Sequence, residues 1–334
     1  MTPYPVLCLV RRTAGLLACA FLAGAATPAA AADDWPKRKP ISYVVPFTVG
    51  GSTDVVGRLL AQKLGQRLGQ NVVVENKPGA AGGIGASYVA KATPDGYTLF
   101  GGTISTHAIN ASLYKNLRYD PVADFEPVSL VATLPNVLLV DPNLGVNTVA
   151  ELIEVLKKHP NKRTYASSGA GTSTHLTGAL FAETIGVPLT HVPYKGTPPA
   201  MIDVSSGSVT FMFDQMTAAL PLLQQGKLKL LAVTTGNRIA LSPETPTLEE
   251  AGVKGFQVAS WQAVYAPKGT PPEIVQRLSR EIAEVLKEPD VQAQLTQTMG
   301  MELVGGSPED LRALMAREIP RWAEVVKKSG ATVE

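Results

Sequence analysis

Apolar and polar positions along this chain alternate between two periods. Strand-like apolar runs occur at 41–45, 72–75, 97–100, 137–140, 163–167, 189–194, 209–214 and 228–234, and the stretches between them carry the three-to-four-residue spacing of helices. The first helix is the clearest, with Val56, Leu60, Leu64 and Leu68 at four-residue spacing beside Leu59; these positions predict core and imply no cofactor. Thr148-Val149-Ala150-Glu151 and Ser307-Pro308-Glu309-Asp310 read as capping boxes, which predicts helices over 149–159 and 308–328. Such alternation argues for α/β layers with largely parallel sheets. The run 130–140 is long for one strand and Pro135 interrupts it, so it is a candidate crossing between domains. A further run at 261–266 is a candidate return crossing, followed by a Pro-rich turn and then helices to the end. In that arrangement the middle of the chain forms one domain and the two ends assemble the other.

Two glycine-rich turns sit between strand and helix in the first α/β unit: Pro46-Phe47-Thr48-Val49-Gly50-Gly51-Ser52-Thr53-Asp54 and Asn76-Lys77-Pro78-Gly79-Ala80-Ala81-Gly82-Gly83-Ile84-Gly85. Bare backbone amides followed by the positive end of a helix suit a carboxylate or another small anion. Three more strand-to-helix junctions carry small polar residues: 101–107, 167–175 and 194–197. Ligands of α/β sheets bind where strands end and helices begin, so convergence of the 47–54 turn with these three would build one cleft of amides and hydroxyls. Each junction alone is ordinary turn and cap chemistry.

Residues 1–32 read as an export signal: Arg11 and Arg12 precede an apolar run from Ala14, and an Ala-rich stretch ends at Ala32. A lipoprotein-type reading at Cys19 leaves only a short apolar core after Arg12, and the residues after the arginine pair do not support twin-arginine export. Both cysteines, Cys8 and Cys19, fall in this segment, so the remainder has no thiol for a disulfide, a metal or catalysis. Lys and Arg number 30 against 28 Asp and Glu, and removing Arg11 and Arg12 leaves 28 against 28. A neutral chain without a basic cluster gives no support to nucleic-acid binding. The length that remains is enough for two domains.

Enzyme readings fare worse than a binding one. Ser168, His175 and Asp214 supply the residue types of a hydrolase triad, but no Gly-x-Ser-x-Gly is present. Gly83-Ile84-Gly85 begins like a dinucleotide fingerprint, yet Tyr88 stands where a small residue is needed. His107 and His175 each follow a junction, and with His159 and His191 they show no metal-ligand spacing; local hydrogen bonding is the plain reading of both. No cofactor is expected. Asp54 suits its helix N-terminus, Asp214 is the better candidate to reach a cleft, and Trp261 reads as packing between domains.

With these segments together, the chain resembles the extracytoplasmic solute receptors of tripartite tricarboxylate transporters, often called Bug receptors. The resemblance rests on Val45-Pro46-Phe47 through Gly50-Gly51 to Asp54, Val74-Glu75-Asn76-Lys77-Pro78-Gly79-Ala80 with Gly82-Gly83, and Pro94-Asp95-Gly96-Tyr97-Thr98-Leu99. It continues in Ser167-Ser168-Gly169 through Gly171-Thr172 to His175-Leu176, Pro193-Tyr194-Lys195-Gly196, Phe213-Asp214, Pro246-Thr247 and Ala266-Pro267. It implies a type II-like periplasmic binding protein of the Venus-flytrap kind, with two lobes, each a mixed sheet flanked by helices. The lobes would comprise 33–131 with 260–334, and 132–259. It implies a periplasmic, monomeric, non-enzymatic receptor for a di- or tricarboxylate, an aromatic carboxylate or an amino acid, delivered to one large and one small membrane subunit. A receptor feeding a two-component sensor is the alternative role. Carried onto this chain, the near carboxylate would meet Phe47, Ser52 and Thr53 at the Gly50-Gly51 turn, with Thr103, Ser105 and His107 nearby. The second lobe would bring Ser168, Gly169, Thr172 and His175, while Tyr194 and Asp214 shape the distal pocket.

Overall fold

The computed structural model describes residues 34–331 and 333; the expected export segment, 1–32, lies outside the described residues. Among the described residues ten strands are joined in one sheet: β1 (Ile41–Val45), β2 (Val72–Asn76), β3 (Thr98–Thr103), β4 (Phe125–Val140), β5 (Thr164–Ser167), β6 (Thr190–Pro193), β7 (Phe211–Gln215), β8 (Lys229–Val233), β9 (Ala259–Pro267) and β10 (Glu302–Gly306). Their order is β2-β1-β3-β9-β4-β7-β5-β6, with β10 and β8 also paired to β4.

The outer pairs, β1 with β2 and β3, and β5 with β6 and β7, are parallel, as strand–helix alternation predicts. The central pairs are antiparallel, so each half of the sheet is mixed instead of largely parallel. β4 is the reason. From Phe125 to Pro135 it pairs with β9, and from Asn136 to Val140 with β7, so one strand belongs to both halves. Pro135 stands at the last pairing of the first segment, where a missing N–H costs least because the ladder changes partner at the next residue. β10 departs from the helices-to-the-end expectation. Its Glu302 and Leu303 pair with Thr133 and Ala132 of β4. A five-residue strand on one edge has no period long enough to announce itself without that partner.

The helix Ser52–Leu68 buries Val56, Leu60 and Leu64 against Ile41, Tyr43 and Val45, in a core it shares with Leu278 and Ile282 of helix Pro272–Val285. Helices Val149–Lys158 and Pro308–Ser329 both begin with the predicted capping boxes. The second contacts both β4 and the helix Ser173–Ile185, and its buried Trp322 donates Nε1–H to Glu318 (3.0 Å). The C-terminal helix therefore packs across both halves of the molecule.

Candidate functional site

The four polar junctions meet. Residues from the loop after β1, the turn after β3, the loop after β5 and the Gly196–Thr197 turn after β6 line one inner cavity of about 50 Å³. Gly50 makes the first loop possible: its φ of +87° lies in the left-handed region that glycine enters without strain. The helix that follows has no side-chain cap, so its first turn presents Ser52 and Thr53 to the cleft. Asp54 faces the other way. Its carboxylate accepts from Gly50 N–H (3.0 Å), Asn76 Nδ2 (2.9 Å) and Arg58 Nε (3.0 Å), while Asn76 Nδ2 also donates to Phe47 O (3.0 Å). Burial pushes this acid up, and the bonds from Arg58, Asn76 and Gly50 hold it below the usual carboxylate range. Asp54 thus ties the loop down and leaves the remaining amides to the cleft.

The floor of the cavity is a polar network that sequence reasoning missed. Ser52 donates to Gln215 Oε1 (3.1 Å), and Gln262 Nε2 donates to Ser52 Oγ (3.3 Å) and Thr53 Oγ1 (3.4 Å). Gln215 Nε2 reaches Ser260 Oγ (3.3 Å) and Asn136 Oδ1 (3.4 Å), and Ser260 donates to the same Asn136 oxygen (3.1 Å). Of these residues, Asn136, Gln215, Ser260 and Gln262 come from β4, β7 and β9 where the two halves of the sheet join. The only available signal was a polar residue in each of three apolar strand runs. Across the cleft, Ser173 N–H at the start of helix Ser173–Ile185 donates to Ser105 Oγ (3.1 Å), so the two sides are in direct contact. Thr172 caps that helix, accepting from His175 N–H (3.4 Å) and donating to Gly169 O (2.8 Å). Two buried polar atoms of cavity-lining residues, Thr103 Oγ1 and Trp261 Nε1, have no hydrogen-bond partner among the described residues. Trp261 is therefore a wall of the cavity as well as packing.

Of the candidates, Phe47, Gly51, Ser52, Thr53, Thr103, Ser105, Ser168 and Thr172 line the inner cavity. Gly169 and Tyr194 line an outer cavity of about 670 Å³ that shares Phe47, Thr48, Ser168, Thr172 and Gly196 with the inner one. Three candidates stand behind the cleft instead of lining it. His107 is fully buried, stacked on Tyr265 (3.7 Å between centroids) with its Nδ1 2.9 Å from Thr106 Oγ1, and burial lowers it to about 3. His175 stacks on His191 (3.8 Å), its Nδ1 accepts Gly171 N–H (3.1 Å), and burial lowers it to about 4. Asp214 is buried, accepting from Thr197 Oγ1 (2.8 Å) and Gln215 N–H (2.7 Å); burial pushes it up to about 6 against those bonds. It acts on the cleft through Thr197, and its direction was not legible from a strand-end position. Ser168 Oγ pairs with Thr174 Oγ1 (3.0 Å), so Ser168, His175 and Asp214 each have other partners and form no triad.

Residues 56–331 match the family described as tripartite tricarboxylate transporter family receptor. Protein BugT of Bordetella pertussis is 39% identical over 313 residues, covering 93% of this chain and 95% of its own. Among solved structures, Rpa4515 of R. palustris with adipate superposes with a TM-score of 0.86 at 42% identity, covering 90% of this chain and 100% of that one. The periplasmic binding protein BugD superposes with a TM-score of 0.84 at 40% identity, covering 89% and 99%.

Proposed function

The chain belongs to the tripartite tricarboxylate transporter receptor family, and from that premise we propose that it is a periplasmic receptor whose two lobes close on one small carboxylate. The closed form is then handed to one large and one small membrane subunit, the receptor acting as a monomer, without catalysis, after removal of residues 1–32. The lobes are 33–131 with 260–334, and 132–259, joined through β4 and β9. The observation that carries this reading is the inner cavity: hydroxyls and amides from both sides of the cleft surround it, and among the described residues no charged one lines it and Thr103 Oγ1 and Trp261 Nε1 find no partner. Buried donors left unpaired are costly, and a carboxylate group accepts from several at once. A carboxylate-bearing ligand, adipate, in the related Rpa4515 supports the same chemistry. Contacts from both lobes stabilise the closed form more than the open one, which is the differential affinity that drives closure.

The test is calorimetry of the purified receptor against mono-, di- and tricarboxylates, aromatic acids and amino acids. For the acid that binds, Ser168→Ala with Thr172→Ala is expected to weaken affinity by about 3 kcal/mol, from the Ser168 hydrogen bond lost to a charged group and the Thr172 bonds lost from the loop that lines the cleft. Because Thr172 also caps a helix, Thr172→Ser serves as the control that keeps the cap. An unchanged affinity in the double variant removes these residues from the site.

A further inference from the structure

The strand β4 exchanges β9 for β7 between Pro135 and Asn136, and Asn136 stands opposite Gln215. It is fully buried, its main-chain oxygen accepts Thr234 N–H (2.9 Å), and it lines neither cavity. Its side chain reaches three elements. Oδ1 accepts from Gln215 Nε2 (3.4 Å) and Ser260 Oγ (3.1 Å), which uses both lone pairs, and Nδ2 donates to Thr177 Oγ1 (3.4 Å) in helix Ser173–Ile185. These partners fix the direction of every proton. Thr177 gives its own proton to Ser173 O (2.8 Å), so it accepts from Asn136. Ser260 gives its proton to Asn136, so Gln215 turns its NH₂ toward that pair (3.3 Å to Ser260 Oγ) and its Oε1 toward Ser52, which donates to it (3.1 Å).

With the lobes proposed above, the bonds make a circuit. It leaves the first lobe at Ser52, runs through Gln215, Asn136, Thr177 and Ser173, and returns to the first lobe at Ser105, which accepts Ser173 N–H (3.1 Å). Ser52–Gln215 and Ser173–Ser105 each cross from one lobe to the other. The two bonds of Asn136 that connect these crossings measure 3.4 Å, at the outer edge of N–H···O lengths, so a small change in the angle between the lobes makes or breaks them. Resting on the reading that two lobes close on one carboxylate, we propose that Asn136 is a positioning residue for closure, which couples the two interlobe hydrogen bonds so that they form together as the cleft shuts. It acts on ligand through Gln215 and through Thr177. Cutting the circuit at Asn136 or Thr177 keeps every cavity-lining side chain and lets each interlobe bond break alone, so bound acid leaves faster.

Thr177→Val keeps the shape of threonine and removes Oγ1, Thr177→Ser keeps the hydroxyl, and Asn136→Ala removes the hub. Adipate, malate and citrate are titrated calorimetrically into the wild type and the variants, and stopped-flow mixing follows release of the bound acid. For each acid that binds, Thr177→Val and Asn136→Ala are expected to weaken affinity about tenfold, as faster release at unchanged association with one site per protein retained. Thr177→Ser is expected to bind as the wild type does. A folding defect would instead lower the number of sites and leave the affinity of the remainder unchanged, and Thr177→Val carries the test if Asn136→Ala does not fold. The double variant is expected to bind no more weakly than Asn136→Ala, because both changes cut the same circuit. Wild-type affinity in Thr177→Val, equal losses in Thr177→Val and Thr177→Ser, or a loss that appears as slower association overturns the coupling alone. Binding of none of the three acids to the wild type removes the carboxylate reading itself, and this inference with it.

Discussion

Gly196→Val is expected to weaken acid binding by about 100-fold while leaving the protein folded. Gly196, in the turn after β6, has a φ of +115°, and a Cβ there would lie 2.2 Å from Thr48 Oγ1 and 3.3 Å from Thr48 Cβ and Cγ2, in the loop after β1. The two loops face each other across the cleft, so the overlap exists only when it is shut. Part of the cost falls on both open and closed forms, because a side chain at this φ is strained by about 1–3 kcal/mol wherever the lobes stand. The collision with Thr48 falls on the closed form alone, and overpacking of this kind costs typically 1–3 kcal/mol. A ligand that depends on closure then loses about 100-fold in affinity. The rescue separates the two contributions. Gly196→Ala with Thr48→Gly removes the collision but keeps the strained φ, and it is expected to bind far better than Gly196→Ala alone. Calorimetry reads the affinity, and small-angle scattering reads closure: ligand compacts the wild type and leaves Gly196→Val unchanged. Wild-type affinity in Gly196→Val removes the Thr48–Gly196 contact from the closing surface.

Acid is expected to destabilise the fold at a pH where, of the carboxylates with a raised value, only Asp214 titrates. Burial holds three histidines neutral, lowering His107 to about 3, His175 to about 4 and His191 to about 3, with the neighbouring His175 adding to the effect on His191. In the unfolded chain each titrates near 6.5, so between pH 6.5 and pH 4 the unfolded state holds more protons and stability falls as pH falls. Each group contributes at most about 1.4 kcal/mol per pH unit. Asp214 acts in the opposite sense. Burial raises it to about 6, above its unfolded value of 3.8, so its penalty at neutral pH is relieved as pH drops through 6. Three histidines against one acid leave a net loss of about 4 kcal/mol between pH 7.5 and pH 5.0. Urea unfolding at the two pH values measures it. His191→Phe keeps an aromatic ring beside His175 and removes one titrating group, so its stability should fall less steeply; a flat profile in the wild type would contradict the neutral histidines. The binding loop is tied to the same pair, since Gly171 N–H donates to His175 Nδ1 and Ser167 Oγ lies 2.6 Å from His191 Nε2.

Much of the architecture was legible because it is local. Four-residue spacing in Val56, Leu60, Leu64 and Leu68 specifies one buried face of a helix, and all four are buried. The capping boxes at Thr148 and Ser307 depend on residues three apart, and both form as read. Gly50 and Gly51 announce a turn because the left-handed conformation is a property of one residue. The polar junctions likewise follow from composition at strand ends, and so does the resemblance to the receptor family that they carry.

What only the tertiary structure decided is whatever needed two distant segments at once. β10 exists because β4 offers it a ladder, and β4 runs unbroken through Pro135 because its partners change there. Gln215, Gln262 and Ser260 are unremarkable singly, and they become the floor of the cavity, with Asn136 behind them, when three strands bring the four within hydrogen-bonding distance. The directions of His107 and Asp214 followed the same rule: a strand-end or helix-start position leaves open which face a side chain takes, and packing against Tyr265 and Thr197 closed the question. Spacing along a chain encodes turns, caps and buried faces, since these are set within a few residues. The cavity volumes and the Gly196–Thr48 approach are set by how the two halves of the sheet meet, which local sequence does not encode.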